Sequence, residues 1–104
     1  MITRIWHGRT SRARADDYGA FLTMRAIPDY RETEGNLDAM ILRRDDGDVS
    51  HFLTVTRWQS EAAIRAFAGD EVLKAKYYPQ DKEFLLEFEP EVQHYVLVAA
   101  SGAL

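Results

Sequence analysis

The sequence contains no cysteine. A chain without thiols forms no disulfide, brings no thiolate nucleophile and holds no zinc ribbon or iron–sulfur cluster, so any redox chemistry must come from a bound molecule. It also lacks an apolar run as long as a membrane span, and residues 1–7 (MITRIWH) do not form the apolar core of a signal peptide. From these absences we expect a cytoplasmic protein with no membrane as partner.

Basic residues are also few. The 13 Lys and Arg stand against 17 Asp and Glu, which gives a net charge of −4, and the two signs are interleaved along the chain. Proteins that bind nucleic acid through its phosphates are usually basic, so we expect no nucleic-acid partner. A length of 104 residues with 12% aromatic side chains predicts one globular domain, residues 1–104, with a core over about residues 2–99.

Hydrophobic periodicity predicts the order strand, helix, strand, strand, helix, strand. Period-two alternation places strands over residues 2–9, 37–44, 51–58 and 91–100. Helical spacing of apolar residues places one helix after residue 11 and another over residues 61–68. This order predicts an α+β, ferredoxin-like fold with a four-stranded antiparallel sheet and both helices on one face.

Proline and glycine add three local predictions. Pro28 should end or kink the first helix, which leaves residues 29–34 as a short turn or loop. The Asp46-Gly47 dipeptide predicts a hairpin turn with positive φ at both residues. Residues 70–77 have helical spacing, and Pro79 should stop that further helix.

Three of the predicted strands are apolar on both sides. The pairs are Ile41/Leu42, Phe52/Leu53 and Val96/Leu97. The helices can cover only one side of the sheet, and monomers rarely expose a large apolar surface. We therefore expect a homodimer in which a second copy packs sheet against sheet. A C-terminal segment folded over the open side is the alternative, but residues 101–104 are too few for it.

Residues 52–67 resemble the antibiotic biosynthesis monooxygenase family. A strand ends in Trp58-Gln59-Ser60, and the short helix that follows carries the aromatic residue Phe67. The strand at the N-terminus, the arginine pair Arg43-Arg44 in a hairpin arm and the closing strand extend the resemblance over residues 2–99. It implies a dimeric α/β barrel that holds its ligand between the sheet and the helices of each protomer.

The resemblance implies two activities. Some family members are cofactor-independent monooxygenases that oxidise hydroquinone or anthrone rings with O₂, and others bind and degrade haem. The haem degraders use asparagine, tryptophan and histidine at the positions that match His7, Phe67 and Tyr77, so none of the three residue types is retained. We expect no cofactor, with a small aromatic substrate. A haem-binding member with a Tyr77 ligand, or a non-catalytic barrel that binds a small apolar ligand, is the alternative.

Two residues are candidates for catalysis. An imidazole at the end of the first strand, His7, can act as general base on a phenol or carbon acid if it faces the cleft. The Tyr77 hydroxyl can position a substrate oxygen in an apolar pocket. The alternatives are a strand histidine bonded to a carboxylate and a tyrosine that packs in the core.

The substrate-binding candidates are apolar and aromatic residues of the strand–helix seam with one arginine: Ile5, Phe21, Leu22, Arg25, Trp58, Phe67 and Tyr78. Core packing is the alternative for Trp58 and Phe67, and pairing with a nearby carboxylate is the alternative for Arg25. No metal site is predicted, because the three histidines have no ligand spacing. The aspartates of residues 45–48 lack the later glutamate of a calcium loop.

Overall fold

Four antiparallel strands form one sheet. A computed structural model of the protein describes residues 1–102; residues 103–104, the end of the predicted domain, lie outside the described residues. The strands follow in chain order as β1 (Ile2–Ser11), β2 (Asn36–Asp46), β3 (Val49–Trp58) and β4 (Gln93–Val96). Their order across the sheet is β2-β3-β1-β4, with every neighbouring pair antiparallel. The predicted ferredoxin-like α+β fold is confirmed.

Three helices cover one face of this sheet: α1 (Ala15–Phe21), α2 (Ile27–Glu32) and α3 (Glu61–Ala68). Their aromatic side chains meet the inward residues of β3. The ring of Tyr18 lies 5.2 Å from that of Phe52, and the rings of Tyr30 and Phe67 lie 6.5 and 5.5 Å from that of Trp58. The helix α3 has the predicted bounds, and the Ser60 hydroxyl accepts the Ala63 N–H as its N-cap.

Of the two predicted effects of Pro28, the end of the first helix is wrong, because residues 27–32 are helical rather than a loop, whereas the helix is irregular just before this proline. Residues 22–26 form a π-helical turn that joins α1 to α2, and the Ile27 N–H donates to the carbonyl of Leu22, five residues back. A widened turn accommodates a proline that has no N–H to donate. It also moves the inward positions to Ala26 and Tyr30, which are buried, so Arg25 is exposed rather than part of the apolar stripe.

The β2–β3 hairpin lies where the sequence predicts it, but its turn differs by one residue. Gly47 and Asp48 are the two turn residues, between the paired residues Asp46 and Val49. Gly47 has φ of 61°, and no non-glycine residue among positions 1–102 has positive φ. A glycine at the first turn position with a negative φ at the second is the pattern of a type II′ turn, which suits the twist of the strands.

Residues 70–77 are not helical, so this prediction is wrong. The chain instead runs beside residues 90–92, where the Val92 N–H donates to the Leu73 carbonyl at 2.8 Å. The buried guanidinium of Arg4 donates to the carbonyl of Val72 and, at 3.0 Å, to that of Lys74. These bonds use carbonyls that an α-helix would use internally. Arg4 is remote in the sequence from residues 72–74, so the local spacing of those residues could not reveal that Arg4 binds their carbonyls.

The last strand is shorter than predicted, and a different segment completes the edge of β1. The pairing of β4 covers only Ile2–Ile5 of β1, and Val98 is 94% exposed, so residues 91–100 are not one strand. Beyond Ile5, residues 85–89 run along β1, where the Leu86 N–H donates to the Arg9 carbonyl at 2.9 Å. This segment carries side chains to both faces of the sheet.

The outward residues of the strands form a surface that we call the open face. Register places two central rows across β1, β3 and β2: His7, Leu53, Leu42 and then Ile5, Val55, Met40. The five apolar members of these rows are the apolar band. Charged rows flank it, with Arg9, His51 and Arg44 at the hairpin end and Thr3, Arg57 and Asp38 at the other. Within residues 1–102, no helix is long and apolar enough to cross a membrane.

Candidate functional site

A closed cleft lies between the helix-covered face of the sheet and the helices. Its volume is about 10 Å³, which is room for about one water molecule. Nine side chains line it: Trp6, Tyr18, Leu22, Ala26, Tyr30, Thr54, Lys76, Tyr78 and Asp81. We call this site the cleft. Its wall is apolar with a small number of converging polar groups, which is the usual composition of a small-molecule site.

Asp81 is the most buried carboxylate at the cleft, with 1% of its surface exposed. Its Oδ1 accepts the Tyr18 hydroxyl at 2.8 Å, and its Oδ2 accepts the backbone N–H of Tyr78 at 2.6 Å. Burial raises the pKa of Asp81, and the two donors only partly offset that effect. Burial beside this carboxylate also raises the pKa of Tyr18. The pair is therefore a phenol donor held on a carboxylate that is more basic than usual.

A second polar group closes the outer side of the cleft. Asp29 Oδ2 accepts the Tyr78 hydroxyl at 2.6 Å and the Lys76 ammonium at 3.1 Å. Burial alone would raise the pKa of Asp29, but these two bonds outweigh it and lower the pKa. The guanidinium of Arg25 lies 4.5 Å from the centre of the Tyr78 ring, a cation–π distance. We call Asp29, Lys76 and Tyr78 the latch, because they join α2 to the segment before residue 79.

The indole N–H of Trp6 makes no hydrogen bond of good geometry in residues 1–102, but it lies near the Tyr77 hydroxyl and partly offsets the rise in the pKa of that residue. Trp6 is 7% exposed, on the inward side of β1. Across the cleft, the Tyr30 hydroxyl donates to Thr54 Oγ1 at 3.1 Å. Buried donors are nearly always paired, so an orphaned one at a cleft calls for an explanation. An acceptor on a bound molecule would satisfy it.

The structure brings some of the predicted binding residues to the cleft and leaves others in the core. Leu22 and Tyr78 line it, and the Phe21 ring packs 6.1 Å from the Tyr78 ring. Trp58 and Phe67 do not line the cleft; they pack on Tyr30 behind it. The exposed Arg25 reaches the cleft only through the face of the Tyr78 ring.

His7 and Ile5 lie on the open face, so the condition under which His7 could act in the cleft, that it faces the cleft, is not met. Strand alternation is the cause, since Trp6 and Gly8 take the inward positions on either side of His7. The Nδ1 atom of His7 contacts the Glu89 carboxylate. This position does not remove the ability of His7 to act as a base, because a carboxylate-bonded imidazole is a common general base.

Tyr77, the other catalytic candidate, packs beside the cleft rather than in it. Its ring lies edge-on to Trp6 with the centroids 6.0 Å apart, and its hydroxyl donates to the Glu89 carbonyl at 2.5 Å. Burial, with Glu89 nearby, raises the pKa of Tyr77 to about 12. His7 and Tyr77 thus both contact Glu89, one through its side chain and one through its backbone.

Sequence reasoning missed the buried polar residues of the cleft, above all Asp81. A signal was present, because Pro79 and Asp81 occupy the first and third positions of a short 3₁₀ turn, Pro79–Glu83, after Tyr78. An acidic residue at the third position that bonds back to the N-cap N–H is a helix-start pattern. Tyr30 was missed because Pro28 made residues 29–34 look like a loop, although Tyr30 is 7% exposed.

Three solved structures have this fold over nearly the whole chain. The haem-degrading protein MhuD of Mycobacterium tuberculosis, solved with two haems in its active site, is 19% identical with a TM-score of 0.65, covering 98% of this chain and 100% of its own. A monooxygenase of Streptomyces coelicolor, solved with the ligand nanaomycin D, is 17% identical with a TM-score of 0.64, covering 99% and 92%. A Nitrosomonas europaea protein provisionally assigned as an antibiotic biosynthesis monooxygenase is 13% identical with a TM-score of 0.65, covering 95% and 100%.

These structures confirm the resemblance to the antibiotic biosynthesis monooxygenases at the level of the fold. By sequence, no family model and no curated protein matches the chain. The neighbours differ in what they bind, since haem is present in one and nanaomycin D in another. The fold alone therefore does not identify the ligand, which depends on the residues that line the cleft.

The cleft residues do not fit haem. No histidine lines the cleft: His7 and His51 lie on the open face, and His94 Nε2 is 3.0 Å from the guanidinium of Arg4. A Tyr77 phenolate is disfavoured by the raised pKa of that residue. Within residues 1–102, no group of three or more His, Asp or Glu side chains is placed to hold a metal ion.

Proposed function

We propose that this chain, whose fold is that of the antibiotic biosynthesis monooxygenase-type proteins, oxidises a small aromatic substrate with O₂ and without a cofactor. The substrate is of the hydroquinone or anthrone type and binds in the cleft. One observation carries the proposal: the cleft joins a buried carboxylate of raised pKa to three tyrosines and to Trp6, whose indole N–H makes no hydrogen bond of good geometry. A substrate oxygen would satisfy that donor.

Asp81 is the base that this proposal assigns to the cleft, in place of His7. A carboxylate whose pKa is raised by burial is a better match for a phenolic or benzylic proton than an exposed one. The Trp6 N–H would stabilise the negative charge that develops on the substrate oxygen, while the Tyr18 hydroxyl keeps its one proton on Asp81 and orients that carboxylate. Tyr77 is a positioning residue, since it packs edge-on against the indole.

The substrate anion supplies the electrons for this reaction. An aromatic anion reduces O₂ by single-electron transfer more readily than the neutral ring. With an anthrone, one oxygen atom enters the ring as a carbonyl, and the other leaves as water with the two hydrogens of the methylene carbon. With a hydroquinone, one oxygen atom replaces a ring hydrogen by a hydroxyl group, and the other leaves as water with the two hydrogens of the original hydroxyl groups, which gives a hydroxyquinone. The balance needs no metal, flavin or external reductant, and the protein contributes a proton acceptor, hydrogen-bond donors and an enclosed site.

Substrate entry requires the cleft to open. Its present volume of about 10 Å³ holds no aromatic ring. The latch and the π-helical turn are the weakest parts of its wall, because the latch is formed by side chains alone and the turn lies directly before Pro28. Movement of α2 away from Tyr78 would enlarge the cleft, with Phe21, Leu22 and Tyr78 as walls. Trp58 and Phe67 would support Tyr30 from behind.

We also propose that the protein functions as a homodimer joined through the open face. Met40 and Leu42 in the apolar band are 48% and 46% exposed, and charged rows flank the band on both ends. An apolar centre with a polar rim is typical of a protein–protein interface. The symmetric occupant is a second copy, which would bury the same band on both chains. The cytoplasmic location expected from the sequence stays a prediction.

Oxygen uptake tests the proposed function. The purified protein is incubated with a panel of hydroquinones and anthrones, beside Trp6→Phe and Asp81→Asn. We expect uptake with at least one compound, and a fall in kcat of about a hundredfold for Asp81→Asn, the usual loss for a general base. Trp6→Phe removes the N–H together with the five-membered ring, and we expect a loss of about tenfold in kcat, measured at a temperature at which the less stable variant is still folded.

Two results would overturn parts of this account. Saturable binding of these compounds without uptake would favour the non-catalytic barrel that binds a small apolar ligand. Uptake that is unchanged in Asp81→Asn would remove Asp81 as the base. Haemin belongs in the same panel, and a Soret shift that is lost in Tyr77→Phe would establish the haem-binding alternative instead.

A further inference from the structure

One ammonium group reaches the cleft, and it belongs to Lys76. Of the nine side chains that line the cleft in residues 1–102, Lys76 is the one lysine or arginine. Its Nζ atom donates to Asp29 Oδ2 at 3.1 Å and to the carbonyl oxygen of Phe67 at 3.4 Å. An ammonium group has three N–H donors, so one of them is free for a molecule bound in the cleft.

Lys76 is held by residues of two different helices. Asp29 lies on α2, the element that moves when the cleft opens. Phe67 lies on α3, and the centroid of its ring is 4.0 Å from Lys76 Nζ, a cation–π contact. When α2 moves away, Asp29 goes with it toward solvent, where water hydrates the carboxylate. The contact with Phe67 then keeps the ammonium group at the cleft, without its carboxylate partner.

The oxygen chemistry of the cleft needs a positive charge. Proton transfer to Asp81 moves one negative charge to the substrate, and electron transfer then moves it to O₂ as superoxide. The wall of the cleft is largely apolar, and a buried charge without a counter-ion is strongly disfavoured. Burial raises the pKa of Tyr18, Tyr30 and Tyr78, so these hydroxyls stay neutral. Among the residues that line the cleft, Lys76 therefore supplies the counter-charge.

We propose that Lys76 is a catalytic residue of the cleft, whose ammonium group stabilises the superoxide that forms when O₂ takes one electron from the substrate anion. This role rests on the proposed oxidation of an aromatic substrate in the cleft. It assigns the oxygen half of that reaction to a residue other than the base, Asp81. Opening of the latch then has two effects, because it admits the substrate and it separates the ammonium group from Asp29.

The atoms and electrons of this step balance without a further reactant. The substrate anion gives one electron to O₂, which leaves a carbon radical beside superoxide. The two radicals join in a C–O bond, and the proton held by Asp81 converts the peroxide anion to a hydroperoxide. With an anthrone, loss of water from this group breaks the O–O bond and leaves the carbonyl. Lys76 keeps its own protons throughout and acts as a fixed charge placed before the reaction begins.

Separate measurement of proton transfer and electron transfer tests this role. A substrate from the oxygen-uptake panel is first mixed with the protein in the absence of O₂, and the absorbance of the substrate anion reports proton transfer to Asp81. The O₂ concentration is then varied, and kcat/KM for O₂ reports electron transfer. Lys76→Gln is the variant to compare with the wild-type protein, because it keeps an N–H that can bond to Asp29 but removes the charge.

We expect kcat/KM for O₂ to fall about a hundredfold in Lys76→Gln, the usual loss when a charge-stabilising donor is removed. Formation of the substrate anion should fall by less than about tenfold, because the charge of a ring anion is spread over many atoms and that of superoxide over two. Lys76→Arg keeps the charge and should restore most of kcat/KM for O₂. Lys74→Gln makes the same change as Lys76→Gln at an exposed lysine outside the cleft, and we expect it to leave kcat/KM for O₂ unchanged.

The outcomes separate this proposal from the one on which it rests. No uptake with any compound of the panel would remove the oxidation itself, and the role of Lys76 with it. Uptake with an unchanged kcat/KM for O₂ in Lys76→Gln would overturn only the role of Lys76, and Lys76→Met replaces this variant if it fails to fold. Tyr78→Phe weakens the latch but keeps the ammonium group. A loss in Tyr78→Phe as large as in Lys76→Gln would assign the effect to the latch and overturn the role of Lys76 as well.

Discussion

Gly8 is the residue on which the shape of the cleft depends most directly. A Cβ at this position would lie closer to the Trp6 ring than a normal van der Waals contact allows. It would also lie 3.0 Å from Leu85 Cδ2. We therefore expect Gly8→Ala to displace the indole and to lower the free energy of unfolding by about 1–3 kcal/mol, the usual cost of overpacking. Urea unfolding gives the stability change, and tryptophan fluorescence reports the displacement.

Gly19→Ala is the matched control. Gly19 lies inside α1, and a Cβ there would meet Phe52 Cε1 at 3.6 Å, an ordinary contact. Alanine is favoured over glycine in a helix, so this variant should gain about 0.5–1 kcal/mol. Equal effects of the two substitutions would show that the close approach of β1 to Trp6 is unimportant.

Among the secondary-structure elements, α2 and the segment before residue 79 control access to the cleft through the latch. Tyr78→Phe removes the hydroxyl that donates to Asp29, so α2 should separate more easily from Tyr78. We expect faster acrylamide quenching of tryptophan fluorescence. Tyr95→Phe is the control, because the Tyr95 hydroxyl bonds to Gln93 on the open face. Quenching that is the same in both variants would contradict the latch.

The latch also predicts a pH dependence. Burial raises the pKa of Asp29, but its bonds to Tyr78 and Lys76 prevail and hold the pKa below the ordinary value of 3.8. The stabilisation is therefore fully present above this value and is lost as the pH falls through the lower, folded-state pKa. Wild-type quenching should rise below about pH 4, while Asp29→Asn should already be quenched faster at neutral pH. Circular dichroism checks that the fold persists.

The elements also divide into those that local sequence predicts and those that it does not. The helix α3 and most of the strand β3 were predicted correctly, because Ser60 caps the helix and alternation along β3 is regular. Residues 70–77 were predicted wrongly because a buried guanidinium from β1 takes their carbonyls. The candidate site was predicted only in part for the same reason: Asp81 and Tyr30 reach the cleft through tertiary packing.

At the scale of the whole molecule, the open face predicts self-association. Met40→Asp would place a charge in the apolar band and should convert a dimer to a monomer in sedimentation equilibrium. Met24→Asp makes the same change at a residue on the helix side that is 79% exposed, and we expect it to leave the mass unchanged. A wild-type protein that sediments as a monomer at micromolar concentration would contradict the proposed dimer.

The two faces of the sheet thus have separate proposed roles in the whole molecule. The helix-covered face holds a closed, largely apolar cleft, whereas the open face holds the apolar band through which a second copy would bind. Strand alternation produces this separation, since Trp6 and His7 are neighbours in the chain and lie on opposite faces. The central claim is that oxygen chemistry belongs to the first of these faces.

Mass spectrometry of the product formed under ¹⁸O₂ tests that claim most directly. A substrate from the oxygen-uptake panel is converted by the wild-type protein and, at matched concentration, by Trp6→Phe. The account predicts one ¹⁸O atom in each product molecule with the wild-type protein, at a rate that falls when the indole N–H is removed. A product without ¹⁸O, or labelled at the same rate by both proteins, would contradict it.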